Sequence, residues 1–369
     1  MNNTYKFFKY TLPVFFLFSF TSCIQDDIVD YFAKDTETIE SYLAKYDVQY
    51  RKTSTLPSSG SVYITPPNEG SREIPTANDL RIFEVKLDLR RFAQERIGDP
   101  VFDVEYGDLV GTSLLKDSTY TYAMRRGAIC LGATDATLNT IMPNEVLERV
   151  FIPSYLAFGG TASSGIGLEF NDIVTLENFQ ITAQRSALSQ ASHEAELVLQ
   201  YAKDSLENFT EIENDTLYNG TSKTVVDEDY YGESQPLELG DYIVKHTITE
   251  GKGDVVAIGD TVQVRYEGKF TDQDGEVFDS NTGSDAAKFQ VVVFENAKAA
   301  QESSVSSTVI NGWYKALRTM KIGEKAVFVM PSHTAYWETG DNPNTSDLFK
   351  TIRPFKPLVF TIELKEDDQ

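Results

Sequence analysis

The sequence is poor in the residues that build metal, redox and disulfide sites. It contains two cysteines, Cys23 and Cys130, and three histidines, His193, His246 and His333, which lie far apart in the chain. No two histidines have the helical spacing of a zinc motif, so a catalytic zinc site is not expected. Because Cys23 belongs to an N-terminal signal, Cys130 lacks a disulfide partner and is predicted to be a buried apolar thiol. We therefore expect neither a metal nor a cofactor.

Basic residues are also scarce. The 369 residues include 33 Lys and Arg against 56 Asp and Glu, which gives a net charge of −23 at pH 7. Loss of Lys6 and Lys9 with a signal peptide would make the charge −25. A surface this acidic repels a phosphate backbone, so nucleic acid is not expected as a partner.

Motifs for calcium, phosphate and acyl chemistry are incomplete. Asp272 would open an EF-hand loop, but Gly283 stands where that loop needs a glutamate. The pair Asp274-Gly275 is instead typical of a tight hairpin turn. The glycine-rich stretch at 159–167 has no lysine and is predicted to be a surface loop. No Gly-x-Ser-x-Gly nucleophile motif is present.

The N-terminus has the features of a secretion signal. Lys6 and Lys9 precede an apolar run from Leu12 to Phe20, which is too short to span a bilayer but typical of a signal-peptide core. Phe20-Thr21-Ser22-Cys23 resembles a bacterial lipobox, and Ile24-Gln25-Asp26-Asp27 resembles the acidic tag of some Bacteroidetes surface lipoproteins. We therefore expect Cys23 to be lipidated and the chain to be an outer-membrane lipoprotein on the periplasmic or cell-surface face. An ordinary signal peptide with an incidental cysteine is the alternative.

Hydrophobic periodicity predicts the same order of elements twice. Apolar residues three and four apart predict a helix over Asp27 to Tyr46 and a second over roughly Arg185 to Phe209. The predicted apolar face of the second helix comprises Leu188, Ala191, Ala195, Val198, Leu199, Ala202 and Leu206. Strict alternation predicts strands after Asp79 and over Thr261 to Phe270. A helix, a loop and a strand therefore follow one another in each half.

Landmark residues also recur at near-equal distances. The stretch FIPSYLAFGG, which begins at Phe151, shares its skeleton with FVMPSHTAYWETG, which begins at Phe328. Each follows a Phe-Asp pair, by 51 residues in the first copy (Phe102 to Pro153) and by 53 in the second. Two further landmarks recur in the same order, which indicates an internal duplication. The predicted segments are a signal peptide (1–22), an anchor and helical lead (23–60), a first domain (61–182), a helix and acidic linker (183–238) and a second domain (239–369).

The second copy carries three blocks that resemble a known family. These are GDTVQVRYEGKFTDQDGEVFDSN, VINGWYKALRTMKIGEKAVFVMPSHTAY and IRPFKPLVFTIELKE. Together they closely resemble an FKBP-type peptidyl-prolyl cis-trans isomerase domain over roughly 239–367. The resemblance implies an α+β fold, in which an antiparallel sheet wraps around a short helix with an apolar pocket between them. With the duplication, it implies two tandem FKBP-like domains and additional linker helices.

The resemblance also implies a set of site residues. Trp313 would form the pocket floor, and Tyr336 would offer a hydroxyl at the rim to the substrate carbonyl. Asp279 would orient the rim or meet polarised atoms of the twisted peptide. The catalytic set implied in this way is Tyr266, Phe278, Asp279, Trp313 and Tyr336. The substrate-binding set is Phe289, Val309, Ile310, Ile352 and Phe360.

The chain departs from the family pattern at several places. Trp337 replaces the glycine that usually follows the rim tyrosine and is expected to cover or narrow the pocket. Arg353 replaces a common proline and is expected to place a charge at the rim. The segment 290–308 is longer than usual and is expected to fold over the entrance. In the first copy, Ala133 replaces the floor tryptophan and Phe158 the rim tyrosine, so we expect no isomerase activity there.

Three functions follow from these observations. The first is a peptidyl-prolyl isomerase that assists the folding of extracytoplasmic proteins, with its activity in the second domain. Its partners would be proline-containing unfolded or partly folded proteins, the membrane through the lipid anchor, and macrolide inhibitors of the family. The alternatives are an FKBP-like binding or chaperone lipoprotein with little or no isomerase activity, and a purely structural surface lipoprotein.

Overall fold

The computed structural model describes twelve stretches of the chain. They are residues 23–53, 60–65, 81–92, 119–124, 130–139, 146–159, 171–213, 242–272, 275–282, 289–303, 309–341 and 352–365. Residues 1–22, predicted to be a signal peptide, and the pair Phe102-Asp103 lie outside these ranges. Within them, no helix combines the length and apolar character needed to span a membrane.

The described residues form two units in succession. The first unit contains α1 (Cys23–Lys45), β1 (Arg51–Thr53), β2 (Val62–Thr65), β3 (Ile82–Arg91), β4 (Thr119–Ala123), α2 (Leu131–Leu138), β5 (Val146–Ile152) and β6 (Val174–Arg185). The second unit contains α3 (Ala187–Ser205), β7 (Thr210–Glu213), β8 (Tyr242–Thr249), β9 (Thr261–Phe270), β10 (Val277–Ser280), β11 (Phe289–Val292), α4 (Ala297–Glu302), α5 (Asn311–Leu317), β12 (Lys325–Met330) and β13 (Leu358–Leu364).

The two sheets have the same strand order. The first sheet runs β1-β2-β5-β6-β3-β4, and the second runs β7-β8-β12-β13-β9-β10 with β11 also paired to β9. Every pairing between these strands is antiparallel. The predicted α+β class with two tandem domains is therefore confirmed.

Each sheet is covered by helices on both faces. Ile152, the last residue of β5, joins the core beneath α2, while its neighbour Phe151 packs with α1. At the end of β12, Met330 joins the core with α5 and Val329 packs with α3. Because neighbouring residues of a strand point to opposite faces, each unit consists of a helix, a sheet and a second helix in layers.

The repeated unit is larger than the sequence predicted. Strand β1 lies in the segment predicted as a helical lead, and β7 lies in the predicted acidic linker, yet both belong to the sheets. The face predicted for α3 is also partly wrong, because Leu188 is 55% exposed. The buried face consists of Ala187, Gln190, Ala191, Glu194, Val198 and Ala202. With β1 and β7 included, each unit begins with an outer helix, α1 or α3, which is followed by a short edge strand.

The thiol of Cys130 is buried at the start of α2, as predicted. Burial raises the pKa of this thiol to about 11, so it stays protonated at neutral pH. A protonated thiol in an apolar core is unreactive, and Cys130 is a packing residue.

A glycine in the first turn of each inner helix allows a close approach to the sheet. A Cβ on Gly132 would lie 2.3 Å from Cγ2 of Ile152, and one on Gly312 would lie 2.5 Å from Sδ of Met330. The two glycines and their partners occupy equivalent places in the two units. Both inner helices are therefore seated against the strand that leads into the Pro-Ser turn.

The two glycines are expected to differ in their tolerance of alanine. Gly132→Ala should lower the free energy of unfolding by about 1–3 kcal/mol, because the β-branched side chain of Ile152 has little freedom to move. Gly312→Ala should cost less, because Met330 is flexible at its sulfur. Urea unfolding of each variant measures both values. Leu188→Ala, an exposed control on α3, should stay within about 0.5 kcal/mol of the parent. An equal or larger loss for Gly312→Ala would contradict the packing argument.

Candidate functional site

The indole of Trp313 lies at the centre of an aromatic cluster in the second unit. It projects from α5 and is 4% exposed. Its ring centroid lies 5.1 Å from that of Tyr266, 5.4 Å from Phe360 and 6.1 Å from Phe289, and all three rings stand nearly perpendicular to it. Edge-to-face contacts of this kind fix ring orientation. Three aromatic rings therefore hold the indole of Trp313 in one orientation, at the position that the resemblance implies for the pocket floor.

A second set of rings extends the wall along β9 and β10. Phe278 stands edge-on to Phe360 at 5.6 Å and contacts Phe270 at 5.1 Å. The ring of Phe278 crosses the backbone at Gly268, where a Cβ would lie only 2.5 Å from Cζ of Phe278. A glycine at this strand position is required for the aromatic wall to close.

A tyrosine and a carboxylate are bonded to each other beside the cluster. The hydroxyl of Tyr266 donates to Oδ2 of Asp279 over 2.6 Å. Burial, and after it the hydrogen bond and negative charge of Asp279, raise the pKa of Tyr266. The proton therefore stays on Tyr266, and Asp279 remains an exposed acceptor at the edge of the site.

The rim tyrosine is kept in its neutral form. Tyr336 packs on the same core, and burial, followed by the charges of Asp341 and Asp279, raises its pKa to about 12. Its hydroxyl is therefore protonated at physiological pH and is able to donate a hydrogen bond.

Asp341 was missed by the sequence analysis. The backbone N–H of Asp341 donates to the carbonyl oxygen of Ile352 over 2.9 Å. This bond joins the segment that carries Tyr336 to the segment that begins at Ile352. Burial and the charge of Asp279 raise the pKa of the Asp341 carboxyl. No spacing in the sequence marks this residue, because a bridge between two distant segments brings it there.

The structure brings the predicted site residues together. Nine of the ten belong to, or pack against, one hydrophobic core, and Asp279 joins them through Tyr266. The nine are Tyr266, Phe278, Phe289, Val309, Ile310, Trp313, Tyr336, Ile352 and Phe360. The ten residues therefore lie together in one region of the second unit.

Trp337 and Arg353, which depart from the family pattern, were expected at the pocket and its rim but make their contacts elsewhere. Trp337 neither covers nor narrows the pocket, because its ring packs against Phe355 at 4.7 Å in a separate buried cluster. Arg353 donates from Nη1 to the carbonyl oxygen of Thr119 in the first unit over 3.4 Å, so its charge lies between the units. Both residues contribute to the junction of the two units.

The long segment after Phe289 is partly described. It contains α4, whose Ala300 is buried in the core of the second unit. Residues 304–308 lie outside the described ranges, so a cover over the entrance stays a prediction.

The first unit lacks the equivalent aromatic site in the part that the structure describes. Ala133 occupies the helix position that matches Trp313, and Phe158 occupies the turn position that matches Tyr336. Both contribute to the core of the first unit, with Ala133 fully buried and Phe158 partly so. The first core has the methyl group of Ala133 at this helix position, and its buried rings belong to Phe83, Tyr122 and Phe179.

Both Pro-Ser turns are held by a buried carboxylate from the outer helix. The backbone N–H of Ser154 donates to Oδ2 of Asp35 over 2.8 Å. In the second unit, the N–H of Ser332 donates to Oε2 of Glu194 over 2.6 Å, and its hydroxyl donates to Oε1 over 2.9 Å. Gln190 donates to the same Oε1. The sequence did contain a signal for Glu194, which lies three residues after Ala191 and four before Val198, on the apolar face of α3.

Comparison with known proteins agrees with this geometry. Residues 253–365 match the family of FKBP-type peptidyl-prolyl cis-trans isomerases. The chain is 35% identical over 120 residues to the FKBP-type 22 kDa peptidyl-prolyl cis-trans isomerase of Escherichia coli. This alignment covers 32% of this chain and 47% of that protein. It is 34% identical over 110 residues to FK506-binding protein 2 of Yarrowia lipolytica, which covers 30% of this chain and 62% of that protein. Residues 253–365 of the second unit are therefore similar to the FKBP-type isomerases.

The match covers only part of each protein. The chain spans less than two thirds of the length of these curated relatives. Among solved structures, the three FKBP domains of wheat FKBP73 align with 86% of this chain and 98% of that chain, at 18% identity and a TM-score of 0.28. At this TM-score the alignment supports no conclusion, so the assignment of the fold rests on the strand order of the two sheets.

Glu194 is expected to make stability depend on pH. Burial raises its pKa from 4.5 to about 7 against the opposing effect of its hydrogen bonds. Between those two values the folded chain binds more protons than the unfolded chain, so the stability that Glu194 contributes is complete below pH 4.5 and is lost as the pH rises through about 7. Relative to Glu194→Gln, which carries no titrating proton, the free energy of unfolding should fall by about 1–3 kcal/mol over this range. Parallel pH profiles for the two proteins in urea unfolding would contradict this expectation.

Proposed function

We propose that the second unit is a peptidyl-prolyl cis-trans isomerase. The observation that carries the proposal is the floor of Trp313 with three perpendicular aromatic rings around it and a neutral tyrosine hydroxyl at the rim. This arrangement lies within the part of the chain that matches the FKBP-type isomerase family. The proposed substrate is an X-Pro bond in an unfolded or partly folded protein.

The reaction suits a site without a nucleophile or a metal. Rotation about a peptide bond crosses a barrier of about 18–20 kcal/mol, and an X-Pro bond isomerises in tens to hundreds of seconds unaided. No covalent bond breaks. The planar amide is more polar than the twisted one, so transfer from water into an apolar pocket costs the planar form more. A pocket that binds the twisted amide better than the planar amide lowers the barrier.

The polar groups at the rim have separate proposed roles. The hydroxyl of Tyr336 donates to the substrate carbonyl, which keeps the acyl side of the bond in place while the proline ring sits on Trp313. Asp279 holds Tyr266 through their hydrogen bond, and its free lone pairs accept polarised hydrogens of the twisted peptide. Phe289, Val309, Ile310, Ile352 and Phe360 supply the apolar walls that bind the flanking side chains.

The cellular setting is proposed from the N-terminal sequence. Lipidation of Cys23 after removal of residues 1–22 would attach the chain to the outer membrane, on its periplasmic or cell-surface side. The clients would then be extracytoplasmic proteins. Because one relative is named an FK506-binding protein, macrolides of that class are proposed as inhibitors that occupy the same pocket.

A second candidate function is a binding or chaperone protein with little isomerase activity. It is favoured by the first unit, which is built like the second but has Ala133 and Phe158 at the floor and rim positions. Refolding of a proline-limited protein separates the two candidates. An isomerase accelerates refolding at far less than one molecule per client, whereas a binding protein needs stoichiometric amounts.

Deletion of the rim hydroxyl is expected to lower activity. Tyr336→Phe should reduce kcat/KM for a short Leu-Pro peptide about five- to tenfold, because one hydrogen bond in the transition state is worth about 1 kcal/mol. A protease-coupled or NMR exchange assay measures the change. Because the pKa of Tyr336 is about 12, parent activity should not depend on its ionisation between pH 6 and 9.

The matched control is Tyr46→Phe, which removes a hydroxyl from an exposed tyrosine in the first unit. It should leave kcat/KM unchanged. The proposed role of Tyr336 fails if its phenylalanine variant retains full activity.

A further inference from the structure

The residue after the rim tyrosine distinguishes the two units. Trp337 in the second unit occupies the place of Gly159 in the first. Both have a positive φ, +43° for Trp337 and +53° for Gly159. Both N–H groups donate to the carbonyl oxygen of the turn serine over 2.8 Å, Ser332 in one unit and Ser154 in the other. The turn therefore has one conformation, occupied once by glycine and once by tryptophan.

That conformation is unfavourable for tryptophan. A bulky residue at positive φ is a true outlier, because its Cβ crowds the backbone, whereas glycine adopts the same angle freely. Strained residues persist only where the surrounding structure holds them. The indole of Trp337 must therefore make contacts that outweigh the backbone strain.

Those contacts lie at the junction of the two units. Trp337 is buried in a cluster with Ile82 and Ala123 of the first sheet, Ala187 and Ala191 of α3, and Phe355. Phe355 is itself held at a φ of +57°, and its N–H donates to the carbonyl oxygen of Trp337 over 2.7 Å. Two aromatic residues with strained backbones thus pack on each other and on the first sheet.

The junction is continuous with two sides of the candidate pocket. Tyr336 immediately precedes Trp337, and Ile352 lies three residues before Phe355. The backbone bond from Asp341 to Ile352 joins the same two segments. Any displacement of Trp337 would therefore move the backbone that carries the rim hydroxyl.

We propose that Trp337 is a positioning residue, which anchors the Tyr336 turn to α3 and the first sheet so that the first unit sets the position of the rim hydroxyl. This inference rests on the proposed isomerase function of the same pocket. On this proposal the first unit, in which we expect no isomerase activity, supports one wall of the pocket in the second unit.

The chain supplies well-matched variants for a test in the full-length protein. Trp337→Gly introduces the residue that the first unit uses at this turn, so the turn itself should still form. Trp337→Phe keeps a ring in the junction. We expect Trp337→Gly to lower kcat/KM for a short Leu-Pro peptide at least about fivefold, and Trp337→Phe to restore most of that loss.

A double-mutant cycle with Tyr336→Phe separates positioning from general destabilisation. If Trp337 acts through the rim hydroxyl, Trp337→Gly should change kcat/KM less than about twofold once that hydroxyl is absent. An equal loss in both backgrounds would overturn the inference, because it would mean that the variant acts on the fold and not on Tyr336. Full activity of Trp337→Gly would overturn it as well.

Binding distinguishes failure of this inference from failure of the proposed function. The chain has only two tryptophans, so Trp313 is the sole fluorophore of its type in both Trp337 variants. Titration with the same peptide should show weaker binding for Trp337→Gly than for Trp337→Phe, and no difference once Tyr336→Phe is added. This pattern without catalysis by the parent would reject the isomerase and keep the positioning role. Catalysis by the parent without this binding pattern would keep the isomerase function and reject the positioning role. A parent that binds no peptide would reject both the isomerase function and the positioning role.

Discussion

The close seating of one short helix against the sheet is the constraint on which each unit depends. Gly312 lets α5 approach Met330 at the end of β12, and this approach places the next residue, Trp313, inside the concavity of the second sheet. The same strand then runs into the Pro-Ser turn that carries Tyr336. The same packing contact therefore relates the position of Trp313 to the strand that leads into the rim. In the first unit, Gly132 makes the equivalent approach, but Ala133 follows it and no aromatic floor is built.

The duplicated fold also retains one buried polar contact in both units. Both units retain an outer helix with a buried carboxylate that accepts from the serine of the Pro-Ser turn, Asp35 in one and Glu194 in the other. This shared bond holds the turn in place whether or not a pocket lies beneath it. Among the positions that differ, Trp337 in place of Gly159 faces the junction of the two units. The two units therefore differ at a few positions on a common backbone.

Much of this arrangement could be predicted from the sequence, because local patterns encode it. The alternation from Thr261 to Phe270 matched β9 at both ends, and the recurring Pro-Ser landmarks identified the duplication. What could not be predicted depends on contacts between distant segments. Asp35 and Ser154 are 119 residues apart, and Glu194 and Ser332 are 138 apart. Trp337 was misjudged for the same reason, since its partners on β3 and α3 decide where its ring packs.

The central claim is that catalysis takes place on Trp313 in the second unit and not in the first. NMR exchange spectroscopy of a Leu-Pro peptide with a small amount of the full-length chain tests it most directly, with the two indole N–H signals as internal reporters. We expect accelerated cis-trans exchange, together with a shift of the Trp313 indole signal and no shift of the Trp337 signal. Unchanged exchange, with peptide-induced shifts confined to the first unit around Ala133 and Phe158, would contradict it.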